Sequence, residues 1–182
     1  EAIENYDVAI DLEPEYARAW YYRGMVYADK SEPERALKNY DMAISLDPQD
    51  AYFWYSRGRI HGDNGEFDKA IADFSQAISL MPEFAIAWYY RGMAYAEIDE
   101  SDKAIENYKE AIKLDPEDFR FRYSRGTAYY AKREFDKAIE DLNEAINLDK
   151  KHPDPWLYRG LSREAKGEKA LALEDLNKAV QL

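Results

Sequence analysis

The chain has 182 residues, of which 46% are hydrophobic and 34% are charged, a composition that predicts a folded protein and argues against a disordered polymer. Its formal net charge of −12 at pH 7 opposes binding to nucleic acid and to anionic membrane surfaces. It contains no cysteine, which excludes disulfides and thiolate metal sites.

No apolar run approaches the roughly 20 residues that a membrane-spanning helix needs, so we expect a soluble protein without a membrane span. The sequence shows neither a basic nor an apolar segment typical of a secretory signal, and we expect a cytoplasmic location. Because the chain begins at Glu1 rather than at a methionine, a targeting segment could precede it.

The first predicted helix lies within Glu1–Tyr16, and an internal repeat dominates the chain from there on. A short phrase with tryptophan, tyrosine, arginine and glycine recurs at intervals of about 34 residues. Its copies are Trp20-Tyr21-Tyr22-Arg23-Gly24, Trp54-Tyr55-Ser56-Arg57-Gly58, Trp88-Tyr89-Tyr90-Arg91-Gly92, Arg122-Tyr123-Ser124-Arg125-Gly126 and Trp156-Leu157-Tyr158-Arg159-Gly160.

A second phrase, rich in alanine and aliphatic residues, follows each copy of the first. Its copies are Ala36–Ile44, Ala70–Ile78, Ala104–Ile112, Ala138–Ile146 and Ala172–Val180. Apolar residues recur in both phrases at i, i+4 and i+7, which predicts one apolar face on each of two helices. Each repeat is therefore predicted to be a helical hairpin, and Glu1–Tyr16 has the pattern of a second helix from an earlier repeat.

The predicted hairpins are bounded by turn residues. Ser31 and Glu34 have the spacing of a capping box, and Pro33 suits the first turn of a helix. Asn64-Gly65 makes the corresponding break in the next copy. Prolines end the second helices at Pro48, Pro82 and Pro116.

One glycine of each first helix lies at a constant separation from an alanine of the following helix, as in Gly24 with Ala36 and Gly126 with Ala138. Glycine inside a helix costs about 0.5–1 kcal/mol relative to alanine. Its recurrence at equivalent positions predicts a close crossing of the two helices there.

The order of Trp, Gly, Tyr, Ala, a large residue, Ala and Pro resembles the tetratricopeptide repeat family over essentially the whole chain. The resemblance implies an all-α, right-handed superhelical solenoid of antiparallel helix hairpins in a single array. The sequence departs from the family pattern in three ways. Arg122 replaces tryptophan, Lys150 replaces proline, and arginine stands before the glycine where the family more often has leucine. The predicted repeats are residues 17–50, 51–84, 85–118 and 119–152, with a shortened copy at 153–182 and a partial one at 1–16.

The resemblance also implies a concave groove, lined by the first helices, that binds an extended peptide or a partner helix. The predicted groove residues are Arg18, Tyr21, Met25, Tyr52, Tyr55, Arg59, Ile86, Tyr89, Met93, Arg120, Tyr123, Thr127 and Tyr130, with the acidic Asp29, Asp63 and Glu97 at the helix ends.

The equivalent tyrosines Tyr21, Tyr55, Tyr89 and Tyr123 form a stripe with two open interpretations. Tyrosine gives a large amphipathic contact area, as recognition surfaces require, but the same rings could pack as core between helices. Arginines of the groove could grip acidic groups of a ligand or be solvated. The cluster of lysine, asparagine and arginine by which some family members hold chaperone C-termini is missing, so we do not expect that ligand.

The arginine before each glycine is predicted to be structural. An acidic or amide residue recurs on the second helices, and we expect it to bond these arginines between helices. The positions are Asp73, Asp141 and Asp175, with Asn39 and Asn107 at the equivalent sites.

His61 and His152 lie in different repeats without cysteine or carboxylate partners at ligand spacing. The glycines form no phosphate loop. We therefore predict no enzyme, no metal site and no cofactor.

Two functions compete at this point. The first is a protein–protein interaction scaffold or adaptor that binds a peptide or partner helix in the tyrosine-lined groove. The second is a structural module that self-associates end to end, which the last amphipathic helix with Leu173, Leu176 and Val180 suggests, because repeat arrays generally need polar capping elements. A homo-oligomer through terminal helices is the partner that this alternative implies.

Overall fold

The computed structural model describes residues 2–182, and these residues form α-helices joined by short turns, with no β-strand among them. The chain is therefore all-α, as predicted. The helices are α1 Ala2–Leu12, α2 Ala17–Asp29, α3 Pro33–Leu46, α4 Ala51–Asp63, α5 Phe67–Leu80, α6 Ala85–Glu97, α7 Ser101–Leu114, α8 Phe119–Ala131, α9 Phe135–Leu148, α10 Pro153–Ala165 and α11 Lys169–Gln181.

The chain divides into two compact units, Glu1–Ala94 and Tyr95–Leu182. In the first unit α2 packs on α3 and α4 packs on α5, while α1 contacts α2 and α3 contacts α4. In the second unit α8 packs on α9 and α10 packs on α11, while α7 contacts α8 and α9 contacts α10. Each unit is thus built from helical hairpins that pack on their neighbours in chain order.

The turn inside each hairpin has one residue in the left-handed region, at positions spaced like the repeat. These residues are Ser31 (φ 58), Gly65 (φ 75), Asp99 (φ 60), Arg133 (φ 62) and Gly167 (φ 82). The backbone N–H of the next residue bonds back to the last turn of the preceding helix, as from Glu32 to the Tyr27 carbonyl at 2.9 Å. This is the Schellman arrangement, which satisfies the carbonyls at a helix end.

The left-handed turn corrects one prediction about helix starts. The expected capping box of Ser31 and Glu34 is wrong, because Ser31 lies in the turn and Glu32 is the N-cap of α3 without a side-chain cap bond. Pro33 is the first residue of α3, as predicted, and its fixed φ favours a helix that begins there. The stops are also as predicted, since α3, α5 and α7 end at Leu46, Leu80 and Leu114.

The helices of a hairpin cross closely at the glycines that recur in the repeat, and large side chains cover those glycines. A Cβ on Gly24 would lie 2.8 Å from Tyr40 Cε1, and one on Gly126 would lie 2.9 Å from Leu142 Cγ and 3.4 Å from the Ala138 carbonyl oxygen. The close crossing is confirmed at both positions. The space that a side chain would need is taken mainly by the large residue of the second helix and only secondarily by its backbone.

Each tryptophan of the repeat fixes the loop that precedes its helix. The indole Nε1 of Trp20, Trp54 and Trp88 donates to the carbonyl of Pro14, Pro48 and Pro82, each at 2.9 Å. Trp156 donates to Lys150 at 3.3 Å. The amphipathic ring thus packs between helices while its N–H is satisfied by the turn.

Candidate functional site

In the first unit two cavities lie on the surface shared by α2 and α4. Their volumes are about 250 Å³ and 330 Å³, and both are lined by Tyr21 and Met25. Asp29, Ser56 and Asp63 add polar groups to the first cavity, and Asp50 adds one to the second. The groove residues that the sequence predicts on α2 and α4 all line one or both cavities: Arg18, Tyr21, Met25, Tyr52, Tyr55 and Arg59.

Tyr21 is half-buried and packs against aromatic rings on two sides. Its ring centroid lies 4.8 Å from that of Phe53 and 5.8 Å from that of Tyr40. Its hydroxyl lies 3.3 Å from Ser56 Oγ. Burial raises the pKa of Tyr21 despite this hydrogen bond. The side chain therefore serves both as packing and as a wall of the cavities.

Tyr55 holds the equivalent position on α4 and joins an aromatic cluster. Its ring lies 5.0 Å from Phe84 and 5.8 Å from Tyr90. The Arg59 guanidinium lies 5.3 Å above the same Tyr90 ring, a cation–π geometry. Burial acts to lower the pKa of Arg59, but Tyr90, Tyr55 and Asp63 raise it above its ordinary value. Arg59 is therefore a permanent cation on a rigid aromatic support.

The predicted groove residues differ widely in exposure. Tyr52 is 47% exposed, Met25 39% and Met93 37%, whereas Tyr89 is 8% exposed and belongs to the core of the first unit. Ile86 is half-buried. The exposed members can contact a ligand directly, and Tyr89 can act only by supporting its neighbours.

In the second unit the predicted residues lie on α8 and are engaged with nearby side chains. Arg120 donates from its backbone N–H and from Nε to Asp118 Oδ1, at 3.0 and 2.9 Å. Tyr123 and Tyr130 place their rings 5.9 and 5.7 Å from Tyr158, both edge-on. Thr127 donates to the Ser124 carbonyl at 2.8 Å.

Both histidines lie near carboxylates, which corrects the sequence interpretation. His152 Nδ1 lies 3.8 Å from Asp154 Oδ2, and His61 has two such neighbours. His61 Nδ1 lies 2.5 Å from Glu66 Oε2, and His61 Nε2 lies 3.9 Å from Asp73 Oδ2. Glu66 belongs to the turn after α4, so sequence spacing alone did not reveal the pair.

No group of three or more His, Cys, Asp or Glu side chains suited to a metal ion occurs within residues 2–182. In the same range no helix has the length and apolar character to cross a membrane.

The structural role predicted for the arginine series is confirmed in both units. Arg57 binds Asp73 through Nε and Nη2 at 2.9 and 2.7 Å. Arg125 binds Asp141 in the same way, with both bonds at 2.7 Å. Arg159 forms the equivalent pair with Asp175 at 2.9 and 2.6 Å, and Arg23 Nε donates to Asn39 at 2.8 Å.

The sequence interpretation missed a second bond from the same arginines. In four repeats Nη1 donates to a side chain of the preceding second helix, sixteen residues earlier. The four pairs are Arg23 with Asp7 at 2.6 Å, Arg57 with Asp41 at 2.7 Å, Arg91 with Ser75 at 3.0 Å and Arg159 with Asn143 at 2.6 Å. The constant separation of sixteen residues could have revealed this series. Each of these arginines also lies 4.6–4.9 Å from the centroid of its own repeat's tryptophan.

Several solved structures have the same fold. A crystal structure of MamA is 27% identical over 87% of this chain and 92% of that chain, with a TM-score of 0.83. MamA from Desulfovibrio magneticus RS-1 is 22% identical over 91% of this chain and 94% of that chain, with a TM-score of 0.86. YrrB, described as a TPR protein with an unusual peptide-binding site, is 24% identical over 98% and 92%, with a TM-score of 0.84. At 22% and 24% identity the last two likenesses concern the fold alone.

No curated protein matches the chain in sequence. Models of the tetratricopeptide repeat do match it, one at residues 17–50 and another at residues 55–119, 97–155 and 123–182. These matches fall on the helical hairpins described above, and together with the recurring glycine, tyrosine and tryptophan positions they lead to one conclusion. The chain belongs to the tetratricopeptide repeat family.

Proposed function

We propose that this chain is a protein-interaction scaffold that binds an extended peptide or a partner helix along the tyrosine-bearing first helices. One observation carries the proposal: every groove residue predicted on α2 and α4 borders the two cavities of the first unit. Cavities lined by tyrosine, methionine and charged side chains offer a ligand both apolar contact area and hydrogen-bonding groups.

The chemistry of this surface suits a ligand with apolar or aromatic side chains and a polar backbone. Tyr52 and Met25 offer exposed contact area, and tyrosine loses little conformational entropy on binding. Ser56, Asp29 and Asp63 line the first cavity and can hydrogen-bond the amides of an extended chain. The half-buried Tyr21 and Tyr55 are held by the rings around them, so the surface is largely preformed.

Likeness of fold to YrrB, whose structure is described as having a peptide-binding site, agrees with this proposal without identifying the ligand. Family membership supports the general role of a protein-interaction scaffold. Because fold alone does not specify function, the evidence for the ligand must come from the binding site itself.

The test is selection from a random peptide-display library by the wild-type chain and by Met25→Ala/Tyr52→Ala. Both residues are exposed, so the variant should fold like the wild type. Enrichment of one motif by the wild type, with loss in the variant, supports the proposal. The failure of any motif to enrich on the wild type refutes it.

A matched control comes from residues of equal exposure outside the two cavities. Met42 on α3 is 39% exposed, as is Met25, and Tyr16 is 48% exposed against 47% for Tyr52. Tyr16 makes no side-chain cap bond to α2. Met42→Ala/Tyr16→Ala should therefore keep the selected motif, and its loss there would show that binding does not depend on the α2–α4 surface.

A second candidate, self-association, is favoured by exposed apolar side chains on α1 and α11. Val8 and Leu12 are 58% and 78% exposed, and Leu173 and Val180 are 61% and 88% exposed. Such residues gain about 25 cal/mol for each Å² that a second copy covers. Light scattering over a concentration series should show a dimer or larger species that Leu173→Glu dissociates, whereas a monomer at every concentration excludes this candidate.

A further inference from the structure

The arginine that precedes the repeat glycine contacts the preceding helix and a tryptophan ring in four of the repeats, and in three of these it is also seen to bind the following helix. Nε, or Nε and Nη2 together, binds the following helix in Arg23, Arg57 and Arg159. Nη1 binds a side-chain oxygen on the preceding helix, and a tryptophan ring lies against the guanidinium. With the Arg91 bond to Ser75, the preceding helix supplies an oxygen acceptor to Nη1 in each of these four repeats.

The hairpin of α8 and α9 departs from this pattern at two positions at once. Lys109 on α7 occupies the position sixteen residues before Arg125, where Asp41 accepts from Arg57. Arg122 replaces the tryptophan that lies three residues before the arginine. An acceptor and an aromatic ring are thus both exchanged for cations in the second unit.

Arg125 itself keeps the orientation of its counterparts. Its Nε and Nη2 bind Asp141 at 2.7 Å, as those of Arg57 bind Asp73. The α7 helix contacts α8, as α3 contacts α4. Nη1 of Arg125 therefore points to the place where the preceding helix supplies an oxygen elsewhere, and within residues 2–182 it makes no such bond.

The neighbouring cations are weakly neutralised. The Lys109 side chain is 59% exposed, and its carboxylate partner Glu106 lies at 3.6 Å. Arg122 Nε is shielded from solvent and has no hydrogen-bond partner, which is costly for a buried donor. Besides Asp141, which Arg125 binds, and Glu106, the charge of Glu140 also acts on Arg125. Arg122 and Arg125 thus lie three residues apart on one helix, and Lys109 holds the position from which the preceding helix supplies an acceptor to the other arginines.

We propose that the position beside Arg125 Nη1 is a binding site for an external oxyanion, a carboxylate or a phosphoryl group. The anion takes the place that the Asp41 carboxylate holds beside Arg57, where it accepts from Arg125 Nη1 and lies close to Lys109 and Arg122. Guanidinium and ammonium groups bind oxyanions through charge-assisted hydrogen bonds. The site uses none of the predicted groove residues, so it goes beyond the function proposed above and stands or falls independently of it.

The test is a titration of the ¹⁵N-labelled full chain, at constant ionic strength, that follows the Arg Nε–H and backbone resonances by NMR. Inorganic phosphate is one probe and N-acetylaspartate amide is the other. We expect a saturable shift at Arg125 and Arg122 with at least one probe. The probe with the lower Kd indicates whether the site takes a phosphoryl or a carboxylate group.

Two substitutions on the same helix make the result decisive. Lys109→Asp supplies the missing acceptor from within the chain and should weaken anion binding about tenfold or more, because an attractive charge becomes a repulsive one. Lys113→Asp makes the same charge change at an exposed lysine that pairs with Glu110 at 3.2 Å, and it should leave the Kd nearly unchanged. The proposal is overturned if the wild type shows no saturable shift, or if both variants weaken binding equally.

Discussion

Arg57→Met tests how far the pairs between hairpin helices stabilise the fold. The Asp73 side chain is 5% exposed and receives two hydrogen bonds from Arg57, at 2.9 and 2.7 Å. Arg57 also binds Asp41 at 2.7 Å and lies 4.9 Å from the Trp54 ring centroid. The bonds to the two carboxylates raise the pKa of Arg57, first through the hydrogen bond to Asp73.

The expected loss of stability in Arg57→Met follows from the carboxylate that the substitution leaves without its partner. Methionine fills much of the volume but leaves the Asp73 carboxylate buried, with His61 Nε2 at 3.9 Å from Asp73 Oδ2. Removing one partner of a buried ion pair costs about 3–5 kcal/mol, and we expect about 3 kcal/mol because Arg57 is 20% exposed. For a chain of this length that corresponds to a fall in Tm of about 6–12 °C.

A double-mutant cycle with Asp73→Asn separates the pair from other effects. Asn39 occupies the equivalent position in the first repeat and accepts one bond from Arg23, so Asp73→Asn alone should cost about 1 kcal/mol. With the buried charge removed, Arg57→Met should then cost clearly less than it does in the wild type. Urea unfolding followed by far-UV circular dichroism gives the free energies. Additive losses, with no coupling between the two positions, would refute the reasoning.

Four further substitutions address packing, turn geometry and pH. Gly58→Ala should destabilise the fold by about 1–3 kcal/mol, because its Cβ would lie 3.0 Å from Phe74 Cε1. Gly62→Ala should stabilise the fold by up to about 1 kcal/mol, because the nearest neighbour of its Cβ would lie at 3.9 Å. Equal effects of the two substitutions on thermal unfolding would contradict this. Arg133→Gly should raise Tm by relieving the left-handed φ of 62°, and a lower Tm would count against that strain. Bonds from Lys69 and His61 lower the pKa of Glu66 below its usual 4.5, so the stability from this carboxylate is complete above that value and is lost as the pH falls through the lowered one. Glu66→Gln should therefore flatten the acid side of the Tm profile, and an unchanged slope would exclude this contribution.

The spacing of the repeat determined the helices and their order, because period and glycine position are local properties of the chain. Arg57 and Asp73 could be paired from sequence for the same reason: both lie in one hairpin, at a separation that every repeat preserves. The helix start at Pro33 was also read correctly, while the role of Ser31 was not. A left-handed turn and a capping box use the same residue types, so only the backbone geometry separates them.

The exposure of the tyrosines was decided by tertiary structure alone. Tyr55 and Tyr89 are equivalent in the repeat, yet Tyr55 lines a cavity and Tyr89 is 8% exposed. Their surroundings depend on side chains from neighbouring helices, such as Phe84 and Tyr90 around Tyr55. Those neighbours vary from repeat to repeat while the period stays constant. The sequence by itself therefore determined the architecture and the candidate surface, and the packing between hairpins decided which of its residues a partner can reach.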